Sequence, residues 1–322
     1  MQRMLGATDI EKTVLCETFD PGAQAGQHAR QASKKYNAQL GEMIISSAGG
    51  LIREGKLEAA EAKLRQWMAL GTPSTLESIT LRAQQMNLCK ILRLRGAFEL
   101  ALAKLDSVFR ESMGDVFFEG SGWHMVLVWE LAGLLCEVGD PVRAERILLD
   151  TLKPMAEANI LDIRNGRRLR LSLAETYLQR HMFDQAEQLL YILKDAFDSD
   201  GQLDNLAQEC VFRIWMMLAR KSHMQFAWSE ALSRWRKALS VLESIGYGHG
   251  AHAVIVRKSI GHALWMDGTG DENQVQRILY QAASDWGDIN RIYWEPRFDS
   301  AWHDHIEKAL QDRGEGPVRP PI

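Results

Sequence analysis

Apolar residues recur at i, i+3, i+4, i+7 spacing through most of the chain, and the two-residue alternation of a half-buried strand is almost absent. Trp228, Ala231, Leu232, Trp235, Ala238, Leu239 and Leu242 form one continuous stripe, with Ser229, Glu230, Arg234 and Lys237 outside it. Such a helix buries one side. Similar stripes predict helices over 34–53, 57–70, 75–95, 98–111, 123–138, 142–153, 161–180, 184–197, 203–223, 252–266 and 272–286. The short intervals between them predict antiparallel hairpins.

Aligning the turns exposes a repeat. GKLEAAEAKL begins at Gly55, GAFELALAKL at Gly96, GDPVRAERIL at Gly139, HMFDQAEQLL at His181 and FAWSEALSRW at Phe226. Each reads turn, bulky or rigid residue, alanine, then a large apolar residue four later. The alanines are Ala60, Ala101, Ala144, Ala186 and Ala231, with Val275 in the same slot of an irregular sixth copy, at separations of 41, 43, 42, 45 and 44 residues. A near-constant period of this length marks a stack of helical hairpins, in which each unit buries a face on its neighbour.

The pattern resembles tetratricopeptide repeats, whose hairpin carries a small residue on the first helix, an aromatic after the turn and an alanine early on the second. Ala174, Tyr177, Phe183, Ala186 and Leu190 fit in copy four, and Trp215, Leu218, Ala219, Trp228, Ala231, Trp235 and Ala238 in copy five. Copies two and three match less closely, and the first and sixth least. The usual repeat is ~34 residues, so this longer period is similar to the arrays of kinesin light chain, large regulatory ATPases and fungal tetratricopeptide proteins. The resemblance implies an all-α, right-handed solenoid of about six degenerate hairpins, closed by a C-terminal capping helix. The expected organisation is an irregular segment 1–32, an array 33–286, a capping segment 287–311 around a helix 298–310 with Trp302 and Ile306, and a mobile tail 312–322.

Composition narrows the function classes. Apolar residues at 46% and charged residues at 25% suit a packed soluble chain. A formal net charge of -4 gives no field for nucleic acid or an anionic membrane. The most apolar stretch, Met125 to Cys136, is too short to span a bilayer and contains Glu130. The N-terminus lacks a secretory pattern. Cys16, Cys89, Cys136 and Cys210 are scattered, which predicts reduced thiols in a cytoplasmic protein with neither structural metal nor cofactor.

No catalytic motif stands out. Gly246, Gly248 and Gly250 follow a helix instead of a strand, so they suit a turn, not a dinucleotide loop. His249 with His252, and His303 with His305, could be metal ligands, but the latter pair points to different faces of a helix. Arg164, Arg167, Arg168 and Arg170 spread over more than one face and read as a solvated helix start.

In the tetratricopeptide frame the first helix of each hairpin lines a concave groove. The groove positions lie six and three residues before the small residue and one and four after it. They include Lys90, Arg93, Trp129, Arg168, Arg213, Met216, Arg220, His223, Lys258, His262 and Trp265. Six of the twenty positions are Lys or Arg and one is Glu. Guanidinium and ammonium groups in a partly dry concavity favour carboxylates or phosphates, and the aromatics add apolar contact. The expected activity is therefore that of a scaffold or regulator binding an acidic or anionic protein or peptide. The chaperone partner of tetratricopeptide clamps is not implied, because the clamp asparagines have no counterpart. An alternative is an accessory enzyme of isomerase or cyclase type, or a metabolite binder, using the concavity as a closed pocket.

Overall fold

The computed structural model describes residues 41, 43–52, 56–70, 78–115, 122–161, 163–201, 203–288 and 300–312. The segment 1–32, most of the tail 312–322, Cys16 and the approach to the last helix lie outside the described residues.

Among the described residues all regular structure is helical. The helices are α1 (43–52), α2 (Leu57–Leu70), α3 (Ser78–Leu94), α4 (Phe98–Ser112), α5 (Gly122–Glu137), α6 (Pro141–Glu157), α7 (Arg164–Gln179), α8 (Phe183–Asp198), α9 (Asn205–Met224), α10 (Trp228–Ser244), α11 (Ala251–Asp267), α12 (Glu272–Asp288) and α13 (Ser300–Gln311). Successive pairs from α3/α4 to α11/α12 pack as hairpins, and first helices also meet along the stack, α3 on α5, α5 on α7 and α7 on α9.

One turn makes the repeat. Each first helix from α3 to α9 ends in a left-handed residue, Gly96 (φ 77), Gly139 (φ 84), His181 (φ 57) and Phe226 (φ 59). The next N–H reaches back five residues to a carbonyl: Ala97 to Leu92 at 2.9 Å, Asp140 to Leu135 at 2.8 Å, Met182 to Tyr177 and Ala227 to Ser222 at 2.9 Å. This closure satisfies the carbonyls that a helix end leaves open. The second helix then starts at once, on Phe98, Pro141, Phe183 or Trp228, which is why a bulky or rigid residue follows every turn. Only Asp140 adds a side-chain cap, accepting from the Arg143 N–H at 3.1 Å.

The small residues sit where helices touch. Ala60, Ala101, Ala144, Ala186 and Ala231 are fully buried, and Val275 is nearly so. On the first helices Cys89, Ala132, Ala174 and Ala219 are buried too. A methyl group on Gly261 would stand 2.8 Å from a Leu279 methyl, so α11 and α12 approach as closely as the side chains allow. Replacing Ala186 or Ala231 with leucine should therefore overpack the stack and lower stability by about 1–3 kcal/mol. Urea unfolding checks this; midpoints equal to wild type would contradict the helix contacts.

Two elements differ from the pattern-based expectation. The sixth helix runs on to Glu157 through Pro154, where a stop near 153 was expected. Pro154 costs the helix one bond to an exposed turn, and the Ala158 N–H still donates to its carbonyl at 3.0 Å. The last helix, α13, runs beside α11 and extends side chains to α9 and α10. Trp302, Ile306 and Leu310, spaced four apart, are its buried stripe. With α10, α12 and α13 all packed against it, α11 is buried on nearly every side.

Candidate functional site

At the N-terminal end of the inner face, Lys90 and Arg93 project from α3 toward α5. Glu130 and Glu137, two turns apart on α5, meet them. Lys90 Nζ lies 3.1 Å from Glu130 Oε1, Arg93 Nη1 3.4 Å from Glu130 Oε2, and Arg93 Nε donates to Glu137 Oε2 at 2.6 Å. Burial alone would lower the Arg93 guanidinium, but Glu137 and then Glu130 outweigh it and hold the group above its usual value. The space left beside this cluster is about 10 Å³, room for no more than one water.

The middle of the face is more open. Arg168 on α7 lies over the Trp129 ring of α5, 5.1 Å from its centre. Next to it, Arg213 on α9 pairs with Glu175 on α7 at 3.0 Å. These four side chains are only partly buried. Met216, in contrast, is core.

At the C-terminal end, α13 covers the face. The Trp302 indole N–H donates to Ser259 Oγ at 3.1 Å, and its ring stacks on Trp235 with centroids 6.1 Å apart. Arg220 lies over the Trp302 ring at 5.2 Å, and His223 abuts it edge-on at 5.2 Å. His223 Nε2 is 2.9 Å from His262 Nδ1. Lys258 contacts Glu307 of α13 and lies 3.3 Å from His303 Nε2. Burial lowers Arg220 to about 10 and His223 to about 3, the latter helped by His262 and His305. Trp265 is partly buried against the same core.

All eleven groove candidates lie on α3, α5, α7, α9 and α11, but as a wall the set differs from the expectation in two respects. Carboxylates outside the positional frame, Glu130, Glu137 and Glu307, join Glu175 in pairing with Lys90, Arg93, Lys258 and Arg213. Arg93, Met216, Arg220, His223 and His262 are buried, not presented to solvent. Arg213 is half-buried and Arg220 buried, so the two do not form an exposed basic pair. The missed carboxylates carried a legible signal: Arg93 and Glu137 stand 44 residues apart, close to one repeat. Nothing in the pattern placed Trp302 on this face.

The other candidates fall elsewhere. His249 Nδ1 pairs with Asp285 at 3.0 Å, His252 packs on Phe212, His303 stacks on Trp286 and His305 on Trp302. Arg164 and Arg167 meet Asp204 and Asp200. Cys89, Cys136 and Cys210 are buried thiols outside any disulfide. Among the described residues no three potential metal ligands cluster, and no helix is long and apolar enough to cross a membrane.

Stacked two-helix units joined by a common closed turn, with small residues at each crossing, define a tetratricopeptide-like helical repeat protein. Known structures share this fold. A kinesin light chain-like protein of Podosopora anserina, with nearly identical TPR-like repeats, superposes with a TM-score of 0.50 at 15% identity over 66% of this chain and 98% of its own. BtubC (BKLC) from P. vanneervenii gives 0.51 at 16% identity over 80% and 96%. A Rap protein complexed with competence and sporulation factor gives 0.54 at 11% identity over 86% and 88%. No protein-family model and no curated protein matches the chain by sequence.

Proposed function

We propose that this chain is a protein- or peptide-binding scaffold that receives an acidic segment on the inner face of α5, α7 and α9. One observation carries the reading. No carboxylate among the described residues forms an ion pair with Arg168, whose guanidinium carbon lies 5.1 Å from the centre of the Trp129 ring. A guanidinium braced by an aromatic ring keeps its forked donors for an incoming carboxylate, and Arg213 stands one helix further on. The structurally similar Rap protein, complexed with competence and sporulation factor, supports a receptor role for this kind of solenoid.

A metabolite pocket would need enclosed space. The buried Arg93–Glu130 cluster has room for only about one water, and Trp302 fills the space beside Arg220 and His223. The cavity of about 330 Å³ among Glu61, Arg65, Leu88, Ile91 and Lys104 is walled by α2, α3 and α4. Neither of these two spaces is lined by Arg168 or Trp129, so neither speaks for an isomerase or cyclase pocket at this site.

Native co-purification with mass spectrometry would supply the partner, and Arg168→Glu tests the site. The variant should melt close to wild type, because a partly exposed charge without an ion-pair partner contributes about 0–1 kcal/mol. It should bind the partner at least about tenfold more weakly, since losing a charge-assisted contact costs about 1.5–3 kcal/mol. Wild-type binding should also weaken as salt rises. Equal affinity of variant and wild type would overturn this site.

A further inference from the structure

Helix α13 occupies the inner face with polar and titratable groups as well as with apolar ones. Trp302, Ile306 and Leu310 are buried, but around them lie His223, His262, His303, His305 and Arg220. A permanent end cap needs only the apolar stripe.

The hydrogen bonds fix where the protons are. An indole N–H can only donate, so the Trp235 N–H, 3.4 Å from His223 Nδ1, makes that nitrogen an acceptor. His223 Nε2 then carries the hydrogen and donates to His262 Nδ1 at 2.9 Å. Adding a proton to His223 Nδ1 or to His262 Nδ1 sets two donors face to face. His223 cannot turn to relieve this without moving Trp302, whose ring meets it at right angles.

The surrounding charges make matters worse for a proton. His262 and, from α13, His305 both disfavour a proton on His223. Arg220 of α9 shares the Trp302 ring with His223 and with Lys308 acts on His305, while Lys258 of α11 lies beside His303 of α13. The carboxylates near this end are engaged: Glu307 of α13 with Lys258, Asp285 of α12 with Arg257 at 2.7 Å, Glu175 of α7 with Arg213. Asp304 of α13 is exposed and sits beside His303. On α10 the pair meets Trp235, which is neutral, while Arg234 is turned to Glu187 and Ser222.

We propose that α13 is a displaceable occupant of the inner face, latched over α9 and α11 by the uncharged His223–His262 pair and expelled when that pair takes up a proton. The proposal rests on the reading of this face as a binding surface. Expulsion would add two imidazolium charges to Arg220 and Lys258, extending the face available to an acidic partner. The direction follows from linkage. Burial holds His223 well below its ordinary value of 6.5, and His303 and His305 are lowered as well, first by burial. The docked state therefore binds fewer protons than the released one, and docking is lost as pH falls through the imidazole range.

Hydrogen exchange of 300–312 in the full chain tests this without any partner. One histidine that docks only when neutral shifts the docking equilibrium about tenfold between pH ~8 and pH ~5.5. Exchange of α13, corrected for intrinsic rate, should rise at least that much while α5 and α7 stay protected. Trp302→Ala should release α13 already at about pH 8. His223→Gln with His262→Gln should keep it docked at about pH 5.5; if that double variant does not fold, His262→Gln alone should move the release down by about one pH unit. Unchanged α13 protection in acid, loss only together with α5 and α7, or wild-type release in the glutamine variants would each overturn the latch. Because these readouts involve no partner, they stand or fall separately from the effect of Arg168→Glu on binding.

Discussion

Replacing Arg93 with alanine is expected to lower the stability of the fold by about 3–5 kcal/mol. The guanidinium is buried between the first helices α3 and α5, where it satisfies both oxygens of Glu137 and reaches Glu130. Glu130 is almost fully buried. Removing the cation takes from Glu130 one of its cationic neighbours and from Glu137 its bidentate partner, and Glu130 is too buried to be hydrated where it stands. Chemical unfolding at constant slope would measure the loss. Replacing all three charges together, as Arg93→Met with Glu130→Gln and Glu137→Gln, should recover most of it, because the cost lies in the orphaned carboxylates. A loss below about 1 kcal/mol for Arg93→Ala would mean that the cluster is hydrated and available to a ligand.

Truncating Trp235 to alanine is expected to cost a similar amount, about 3–5 kcal/mol. Its side chain is completely buried on α10, four residues beyond Ala231, in the core shared by α9, α11 and α13. The cavity opens beneath Trp302, and His223 loses the indole donor that fixes its tautomer. Two effects should therefore appear together: a lower unfolding midpoint, and hydrogen exchange in 300–312 faster than the global loss accounts for. A midpoint within about 1 kcal/mol of wild type would show that the core closes around the gap, contrary to the close packing seen here.

Much of this architecture was legible before any coordinates. The turns at Gly96, Gly139, His181 and Phe226 recur at nearly constant intervals because one closed turn geometry recurs, and the alanines follow because every second helix crosses its partner at the same depth. Both are local constraints, written within about ten residues, so a repeating sequence displays them openly. Among the described residues the helix assignment stopped short where a local breaker was outvoted, at Pro154, whose lost bond falls on an exposed turn.

For the candidate site the sequence supplied helix positions but not their partners. Helical spacing placed the list from Lys90 to Trp265 on the first helices α3, α5, α7, α9 and α11. Whether those residues are bare or paired depends on partners about one repeat away, such as Glu137 for Arg93 and Glu175 for Arg213. Counting charges in one frame cannot see them.

The sequence by itself thus determined the fold class, the repeat and the crossing points, because each is set by short-range periodicity. Only the tertiary structure decided that Arg168 lies over Trp129 with no ion pair to a carboxylate among the described residues while Arg213 is paired with Glu175, and that α13 lies against α9 and α11 with Trp302 against His223 of the His223–His262 pair. Those outcomes depend on where a helix some forty residues away comes to rest. Its own amphipathic stripe specifies that it must bury Trp302, Ile306 and Leu310, but not against which surface.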